Sequence, residues 1–337
     1  VFVFRDEKNR APALLLLHGG HGEQRLVLSV VVGLGETSGD WLASHSPPNH
    51  YHLMKALLLL LCLVVNVSMA HAQAQTSPPR LIVRADDMGY SHAGNEAILK
   101  TYKEGIATSA EVIVPSPWFP EAVAMLAKHP EVDVGIHLCL SSEWDNVKWR
   151  PLTECPSLRD ADGCFFPMIF PNKNYPGRSL AENKWKIEEI EKEFRAQIEL
   201  ALKKIPRISH VTHHMGCSEL NSEVSAMAQR LAGEYKIGLG LGSLAMQRAT
   251  YKGPKGTSAE KITSFIKMLE GLEAGKTYLF VDHPGLDVPE VQAIHHIGYE
   301  NVAVDRQGVT DTFTSPQVRE AIRAKGIQLI SYRDLKQ

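Results

Sequence analysis

From residue 80 onward the sequence alternates short apolar runs with longer segments of helical period, and that alternation leaves few architectures open. Strand-like runs fall at 81–86, 109–115, 132–140, 208–214, 237–241, 277–282 and 327–332. Helical patterns fill the intervals at 93–104, 120–129, 180–204, 222–235, 258–272 and 316–325. In the third of these, Ile190, Phe194, Ile198 and Leu202 recur every four residues as a core-facing stripe, and the charges of "EEIEKEFR" read as its solvated face. Repeated strand–helix units imply parallel strands joined by right-handed crossovers. The expected fold class is α/β: a distorted or incomplete (β/α) barrel, with parallel strands and outer helices, rather than an open doubly wound sheet. Chemistry in such a barrel collects at the C-terminal ends of the strands.

Composition limits what such a barrel can partner. The chain has 337 residues, 44% hydrophobic and 22% charged, enough for one large domain or two ordinary ones. Lys+Arg 36 against Asp+Glu 38, with no basic cluster, argues against nucleic acid as a partner. The segment "MKALLLLLCLVVNVSMAHAQAQ" has Lys55, an apolar run from Ala56 to Val65 and Ala70-His71-Ala72, the pattern of a secretory signal peptide over 54–72. Its apolar run of about ten residues is well short of the roughly 20 that span a bilayer, so cleavage rather than stable membrane insertion is expected. The product is expected to be secreted or periplasmic. Residues 1–53 contain no Met and no sustained period, and are expected to be a spurious or disordered upstream extension; 80–337 is read as one functional domain. Export permits cysteine pairing, and Cys155 and Cys164 bracket the turn-rich "PSLRDADG", where a disulfide and two free thiols are equally open. Homo-oligomerisation is likewise left open.

The run "LIVRADDMGYSHAGN" (81–95) ends on two adjacent carboxylates, Asp86 and Asp87. Capping the next helix does not require them, because Ser91 or Asn95 can do it. Two neighbouring carboxylates repel unless a proton or a cation is shared. Other strand ends carry His137 in "VGIHLCL", His210, His213 and His214 in "SHVTHHMG", and Asp282 and His283 in "LFVDHPG". Strand alternation puts His210, Thr212 and His214 on one face and His213 on the other, and likewise groups Gly135, His137 and Cys139. A lone strand-end His is more often a hydrogen-bonded polar residue than a ligand, and "DHPG" alone is a plausible turn. Independent turn residues, however, have no reason to gather carboxylates and imidazoles on one rim. One carboxylate with two imidazoles suits a divalent cation with open positions, and a second carboxylate beside the bound water can take its proton.

Taken in order, "ADDMG", "GIHL", "SHVTHHMG", "HPG" and the closing "GIQLISYRDL" resemble the YdjC-like carbohydrate deacetylases, which include chitooligosaccharide deacetylases; the likeness runs from Leu81 to the C-terminus. The resemblance implies a (β/α)-barrel-like fold, one divalent metal ion (Zn2+ or Mg2+), and hydrolysis of N-acetyl groups on amino sugars or short oligosaccharides. It implies Asp87, His137 and His214 as metal ligands, Asp86 as general base, and His283 as the acid that protonates the leaving amine or holds the substrate. There is one departure. Family members acting on chitooligosaccharides read His-x-Asp-Ser-His around the third ligand, whereas this chain reads His210-Val211-Thr212-His213-His214, so Thr212 stands where a carboxylate is expected.

The segment 141–178 is long, rich in Pro and Gly, and expected to be a substrate lid. Within it Trp144, Trp149 and Arg150 are candidate sugar contacts, with ordinary packing beneath the lid as the alternative for the two tryptophans. His210 is a further candidate substrate contact. "GLGLGS" (238–243) lacks nucleotide-binding spacing and reads as a glycine turn. Two other functions stay in view: a metallohydrolase of another bond such as a phosphoester, which would favour more cationic residues or a second metal, and a non-catalytic sugar-binding protein, which needs no base beside the metal.

Overall fold

The computed structural model describes residues 77–238 and 246–336, together with the backbone of three short strands near the start of the chain. Those strands, β1 (Phe2–Phe4), β2 (Ala13–His18) and β3 (Val27–Val31), form an antiparallel sheet in that order. They belong to a unit, Val1–Ala74, distinct from the unit Gln75–Gln337 that holds everything discussed below. The segment 54–72, read as a signal peptide, lies outside the described residues.

Among the described residues of the larger unit are seven parallel strands: β4 (Arg80–Met88), β5 (Ser109–Val112), β6 (Val134–Leu138), β7 (His210–His213), β8 (Gln247–Ala249), β9 (Thr277–Asp282) and β10 (Gln328–Leu329). They hydrogen-bond in the order β7-β6-β5-β4-β9-β8, and β10 pairs with the first residues of β4. The sheet curls into a half-barrel with helices outside it, the distorted barrel that the alternation predicts. Strands β4, β5 and β6 are buried almost throughout, as expected where helices cover one face and the barrel interior the other.

Eight helices connect the strands among the described residues: α1 (His92–Lys103), α2 (Phe119–Ala127), α3 (Ile187–Lys204), α4 (Ser222–Glu234), α5 (Ser258–Glu270), the short α6 (Pro289–Gln292), α7 (Val302–Thr314) and α8 (Pro316–Ala324). Their starts are written in the sequence. Ser91 Oγ accepts from Gly94 N at the head of α1, Asn221 does the same for α4 through Val224 N, and Thr257 with Glu260 forms a capping box on α5. Ser91 therefore caps α1, and neither Asp86 nor Asp87 is needed for it.

The structure differs from or adds to the sequence reading in three places. Of the run at 237–241 only Ile237 and Gly238 are described, neither in a strand, and 239–241 lie outside the described residues; the described strand beside β9 is the short, polar β8, which no apolar run announces. Helix α7 escapes the periodicity reading because its buried side carries polar residues, Arg306, Thr310 and Thr312, while Val304 is exposed, so it shows no clean apolar stripe. On α3, Glu193 is fully buried rather than solvated: its carboxylate accepts from Leu152 N and Thr153 N, both at 3.0 Å.

One helical turn further along α3, Gln197 clamps the chain just past β6. Its Oε1 accepts from Cys139 N at 3.0 Å and its Nε2 donates to Cys139 O at 2.8 Å. Glu193 and Gln197 thus tie the long connection 139–186 to a rigid helix. That connection is a folded cover: Trp144, Trp149, Leu158, Phe165, Ile169 and Leu180 are all buried in the core. The four described cysteines, Cys155 and Cys164 included, are free thiols. No helix among the described residues is long and apolar enough to cross a membrane.

An aromatic cluster fixes β9 against α5 and α7: the Phe280 ring lies 4.7 Å from Phe265, 5.0 Å from Tyr251 and 6.0 Å from Phe313, centroid to centroid. Replacing Phe280 by Ala should lower stability by about 3–5 kcal/mol through lost burial and the cavity left behind. Urea unfolding checks this, and a loss below about 1 kcal/mol would mean that β9 is held by other contacts.

Candidate metal centre

A bulge at the end of β4 creates the site. Ala85 pairs with Ala110 and Met88 with Val112, so Asp86 and Asp87 together oppose the single residue Glu111. Asp87 sits at φ 74°, in the left-handed region, a conformation that costs a non-glycine residue about 1–3 kcal/mol. In a regular strand the two side chains would point to opposite faces. Here both carboxylates reach the same imidazole: Asp86 Oδ2 is 3.7 Å and Asp87 Oδ1 3.6 Å from His137 Nε2.

Neighbouring strand ends complete the cluster. His137 comes from β6, and His214 follows β7 directly, its Nδ1 3.2 Å from Asp87 Oδ1. Asp87, His137 and His214 are buried, and each offers one ligand atom within 4.8 Å of the other two. His283, just past β9, stands at the rim: its side chain is 40% exposed, its Nε2 lies 3.9 Å from Asp87 Oδ2, and its Nδ1 lies 3.5 Å from Asp282 Oδ1.

Each of these groups is held from behind. Arg84 donates to both oxygens of Asp86, from Nε at 2.7 Å and Nη2 at 2.8 Å. Arg306 Nη2 donates to Asp87 Oδ2 at 2.8 Å, and its guanidinium lies over Tyr90 at 4.5 Å and Trp144 at 5.1 Å. Glu143 Oε2 meets His214 Nε2 at 3.0 Å, and Thr212 Oγ1 meets His137 Nδ1 at 2.8 Å. Both imidazoles therefore turn their remaining nitrogen toward Asp87.

The charges call for a cation. Four buried carboxylates, Asp86, Asp87, Glu111 and Glu143, face two buried guanidiniums, Arg84 and Arg306. The excess negative charge must be met by imidazole protons or by a metal ion. Burial opposes ionisation of Asp87, but His283, His214 and Arg306 outweigh it and hold the carboxyl well below its usual range. Burial also opposes a charge on His214, yet Glu143 and Asp87 hold its imidazole well above its usual range. Burial and the neighbouring His214 push His137 well down, so His137 is neutral. Burial raises Asp86, against the pull of Arg84. Asp87 Oδ1 is buried and faces His214 Nδ1 at 3.2 Å and His137 Nε2 at 3.6 Å. A buried carboxylate oxygen flanked by two imidazole nitrogens fits a divalent cation, with the His214 proton holding its place otherwise.

The remaining predicted residues are placed as follows. His210 does not line the site: it is fully buried beneath it, bonded to Glu111 and stacked on Tyr332 with centroids 3.8 Å apart, so a substrate cannot reach it. Trp149 is buried in the cover. Trp144 is also buried, and its ring covers Arg306 rather than open solvent. Arg150 is exposed, and its Nη2 donates to Asp162 O at 3.2 Å within the cover. His213 faces away from the cluster, as alternation predicts, and bonds Ser218. Phe170, 44% exposed, lies against Gly216, two residues beyond His214 in the chain, and the intervening Met215 is 37% exposed.

Sequence reasoning missed four supporting residues. Arg84 and Glu111 left a signal, each being a charge inside an apolar strand run. Glu143 lies in irregular chain and Arg306 in the unrecognised α7, so neither had a period to place it.

Comparison with known proteins follows from this geometry. Residues 80–324 match the family described as YdjC-like protein. A carbohydrate deacetylase of Enterococcus faecalis is 28% identical over 276 residues, 77% of this chain and 99% of that protein. One from Geobacillus stearothermophilus is 27% identical over 267 residues, 76% of this chain and 98% of its own length, and one from Thermus thermophilus is 31% identical over 235 residues, 64% and 80%. Among solved structures, a protein of Enterococcus faecalis described as a cellobiose-phosphate cleavage protein superposes with a TM-score of 0.62 at 25% identity, covering 77% of this chain and 99% of that one.

A cation bound between these three residues should stabilise the fold by about 2.7 kcal/mol when its concentration is about a hundred times Kd. Asp87→Asn should remove that stabilisation, read as a metal-dependent rise in Tm. Binding at His214 Nδ1 must displace the proton that Glu143 and Asp87 hold there, so affinity should fall as pH drops, by about tenfold per unit below the His214 pKa. Chelator competition at about pH 6 and about pH 8 measures this; equal affinity at both would exclude His214 as a ligand.

Proposed function

The chain belongs to the YdjC-like protein family, and from that premise we propose that it is a metal-dependent carbohydrate deacetylase, hydrolysing the N-acetyl group of an amino sugar or short oligosaccharide to acetate and a free amine. The observation that carries the reading is the convergence of Asp87, His137 and His214, with Asp86 beside them and no role for it in capping. Curated relatives named carbohydrate deacetylases support the substrate class.

Asp87 Oδ1, His137 Nε2 and His214 Nδ1 would hold one divalent ion. Such an ion supplies Lewis acidity toward the acetyl carbonyl and lowers the pKa of water from about 15.7 toward 7. Asp86 then accepts a proton from the attacking water as the new C–O bond forms. Arg84 fixes both Asp86 oxygens, so the base does not swing toward the ligands. Burial, which raises the Asp86 carboxyl, strengthens it as a base. As the C–N bond breaks, the amine needs a proton. In this reading His283 gives it: at the rim, Asp87 and Asp282 hold its imidazole above the usual range against the effect of burial, which favours the protonated form.

For the sugar, Phe170 is the stacking surface in this reading, in place of the buried Trp144 and Trp149, because its side chain is exposed and lies against Gly216, two residues beyond His214. The phosphoester alternative has less support: Arg84 is engaged by both oxygens of Asp86, and Arg306, bonded to Asp87, is buried against Tyr90 and Trp144 rather than presented to a substrate. Export to the periplasm or the medium belongs to the same proposal and rests on residues 54–72 alone.

Acetate release from a panel of N-acetylated amino sugars and chitooligosaccharides, with metal-reconstituted protein, tests the activity. Asp86→Asn should lower kcat by about 10²–10⁴ with metal still bound. A folded, metal-loaded protein that releases acetate from none of them would move the reading to another hydrolysed bond. Phe170→Ala should raise KM for oligosaccharides several-fold and leave kcat and metal affinity unchanged; a loss confined to kcat would remove Phe170 from sugar binding.

A further inference from the structure

We propose that Glu111, acting through the Thr212 hydroxyl, is a positioning residue that fixes the tautomer and orientation of His137, and so takes over in this chain the duty of the carboxylate missing at position 212. The inference rests on the metal-site reading above.

The geometry leaves the hydroxyl hydrogen little choice. Thr212 Oγ1 lies 2.7 Å from Glu111 Oε2, 2.8 Å from His137 Nδ1 and 3.3 Å from Ile136 O. A hydroxyl has one hydrogen to give, and a carboxylate can only accept. Burial works against ionisation of Glu111, but His210 and Arg84 bring its pKa down to about 2, so it is a carboxylate at any physiological pH. The hydroxyl therefore donates to Glu111, the shorter contact to an anion, and offers His137 only a lone pair. His137 Nδ1 must then carry the ring proton, which leaves Nε2 bare. That bare lone pair faces Asp86 Oδ2 at 3.7 Å and Asp87 Oδ1 at 3.6 Å. Three electron-rich atoms turned toward one another are stable only around a positive charge, so the relay sets His137 up as a ligand.

Glu111 is itself built in. His210 Nε2 meets its Oε1 at 2.6 Å and Ser109 Oγ donates to the same oxygen at 3.0 Å. His210 is anchored by Ser209 Oγ at 2.7 Å, which donates to Asp133 at 2.6 Å, and by the stacked ring of Tyr332. The position opposite is necessarily glycine: a Cβ on Gly135 would run into Glu111 Oε2 and His210 Nε2. This gives His210, Gly135 and the C-terminal Tyr332 a common purpose, to hold a buried carboxylate one hydroxyl away from His137.

The test reads the imidazole directly. With histidines labelled by 15N, long-range proton–nitrogen spectra of the metal-free protein distinguish the two tautomers of His137. The parent and Thr212→Ser should show Nδ1–H, while Thr212→Val and Glu111→Gln should lose it or show a mixture. Zn2+ affinity, by chelator competition, should fall about 10–100-fold in Thr212→Val and Glu111→Gln and recover in Thr212→Ser. The two losses should not add in the double variant, because both break one link. Either single substitution leaving tautomer and affinity unchanged in a folded protein overturns the proposal. If Glu111→Gln does not fold, the near-isosteric Thr212→Val decides it. Parent protein that takes up no Zn2+ would sink the metal-site reading instead, and the tautomer spectra would still decide the relay.

Discussion

Two adjacent residues of a strand cannot ordinarily serve one site, because the pleat sends them to opposite faces. The bulge at Asp86 and Asp87 removes that restriction by opposing both to Glu111 and turning Asp87 into the left-handed region. Everything else in the centre depends on it. The strained backbone is over-determined by its surroundings: Arg306 fixes one oxygen of Asp87, Arg84 fixes both of Asp86, and Asn95 Oδ1 accepts from Gly89 N at 2.7 Å just beyond the bulge. Strain of about 1–3 kcal/mol survives in a folded protein only under such restraint.

Burial of so much charge has a consequence for each member of the cluster. The two guanidiniums do not line an open anion site; each holds a carboxylate still. Their division of labour separates the two aspartates chemically. Asp86 shares both its oxygens with Arg84 and is pushed up by burial, the character of a base. Asp87 gives Oδ2 to Arg306, turns Oδ1 to the two imidazoles, and is pulled down by the surrounding cations, the character of a ligand. Identical side chains next to each other acquire different chemistry because different arginines hold them.

The fold and the inner ring of the site were legible in the sequence, and the support around them was not. Strand periodicity placed β4, β5, β6, β7 and β9 within a few residues. The same rule put Asp87, His137 and His214 on one rim, because in a parallel barrel strand ends meet whatever the intervening sequence. It failed where periodicity is absent. Helix α7 buries polar residues and exposes Val304, and with it Arg306 was invisible; Glu143 sits in irregular chain; β8 is too short and polar to read. His210 and the two tryptophans were misjudged for a different reason: alternation gives the face of a strand, not its depth, and an aromatic residue in a long connection is as readily core as rim. The substitution at Thr212 shows the limit most clearly. Read along the chain it is a lost carboxylate, yet across the sheet β5 returns one in Glu111, a pairing that becomes visible only once strand order is known.

The cover over the barrel is part of the centre, and it ties the geometry of the cluster to folding. Glu143, which orients His214, lies on the connection 139–186, and that connection is secured through Gln197 at Cys139 and Glu193 at Leu152 and Thr153. Trp144, on the same stretch, lies over Arg306, which in turn holds Asp87. His214 is thus oriented directly by the cover, and the Asp87 carboxylate only through Arg306 of α7, over which the cover packs Trp144. With the cover unpacked, His214 would lose its orienting partner and Arg306 its covering ring, while His137, held from within the sheet by Thr212, would keep its own. An ion held at this cluster would then be linked to docking of the cover: whatever stabilises the packed cover would tighten the cluster, and a bound ion would stabilise the cover by the same free energy.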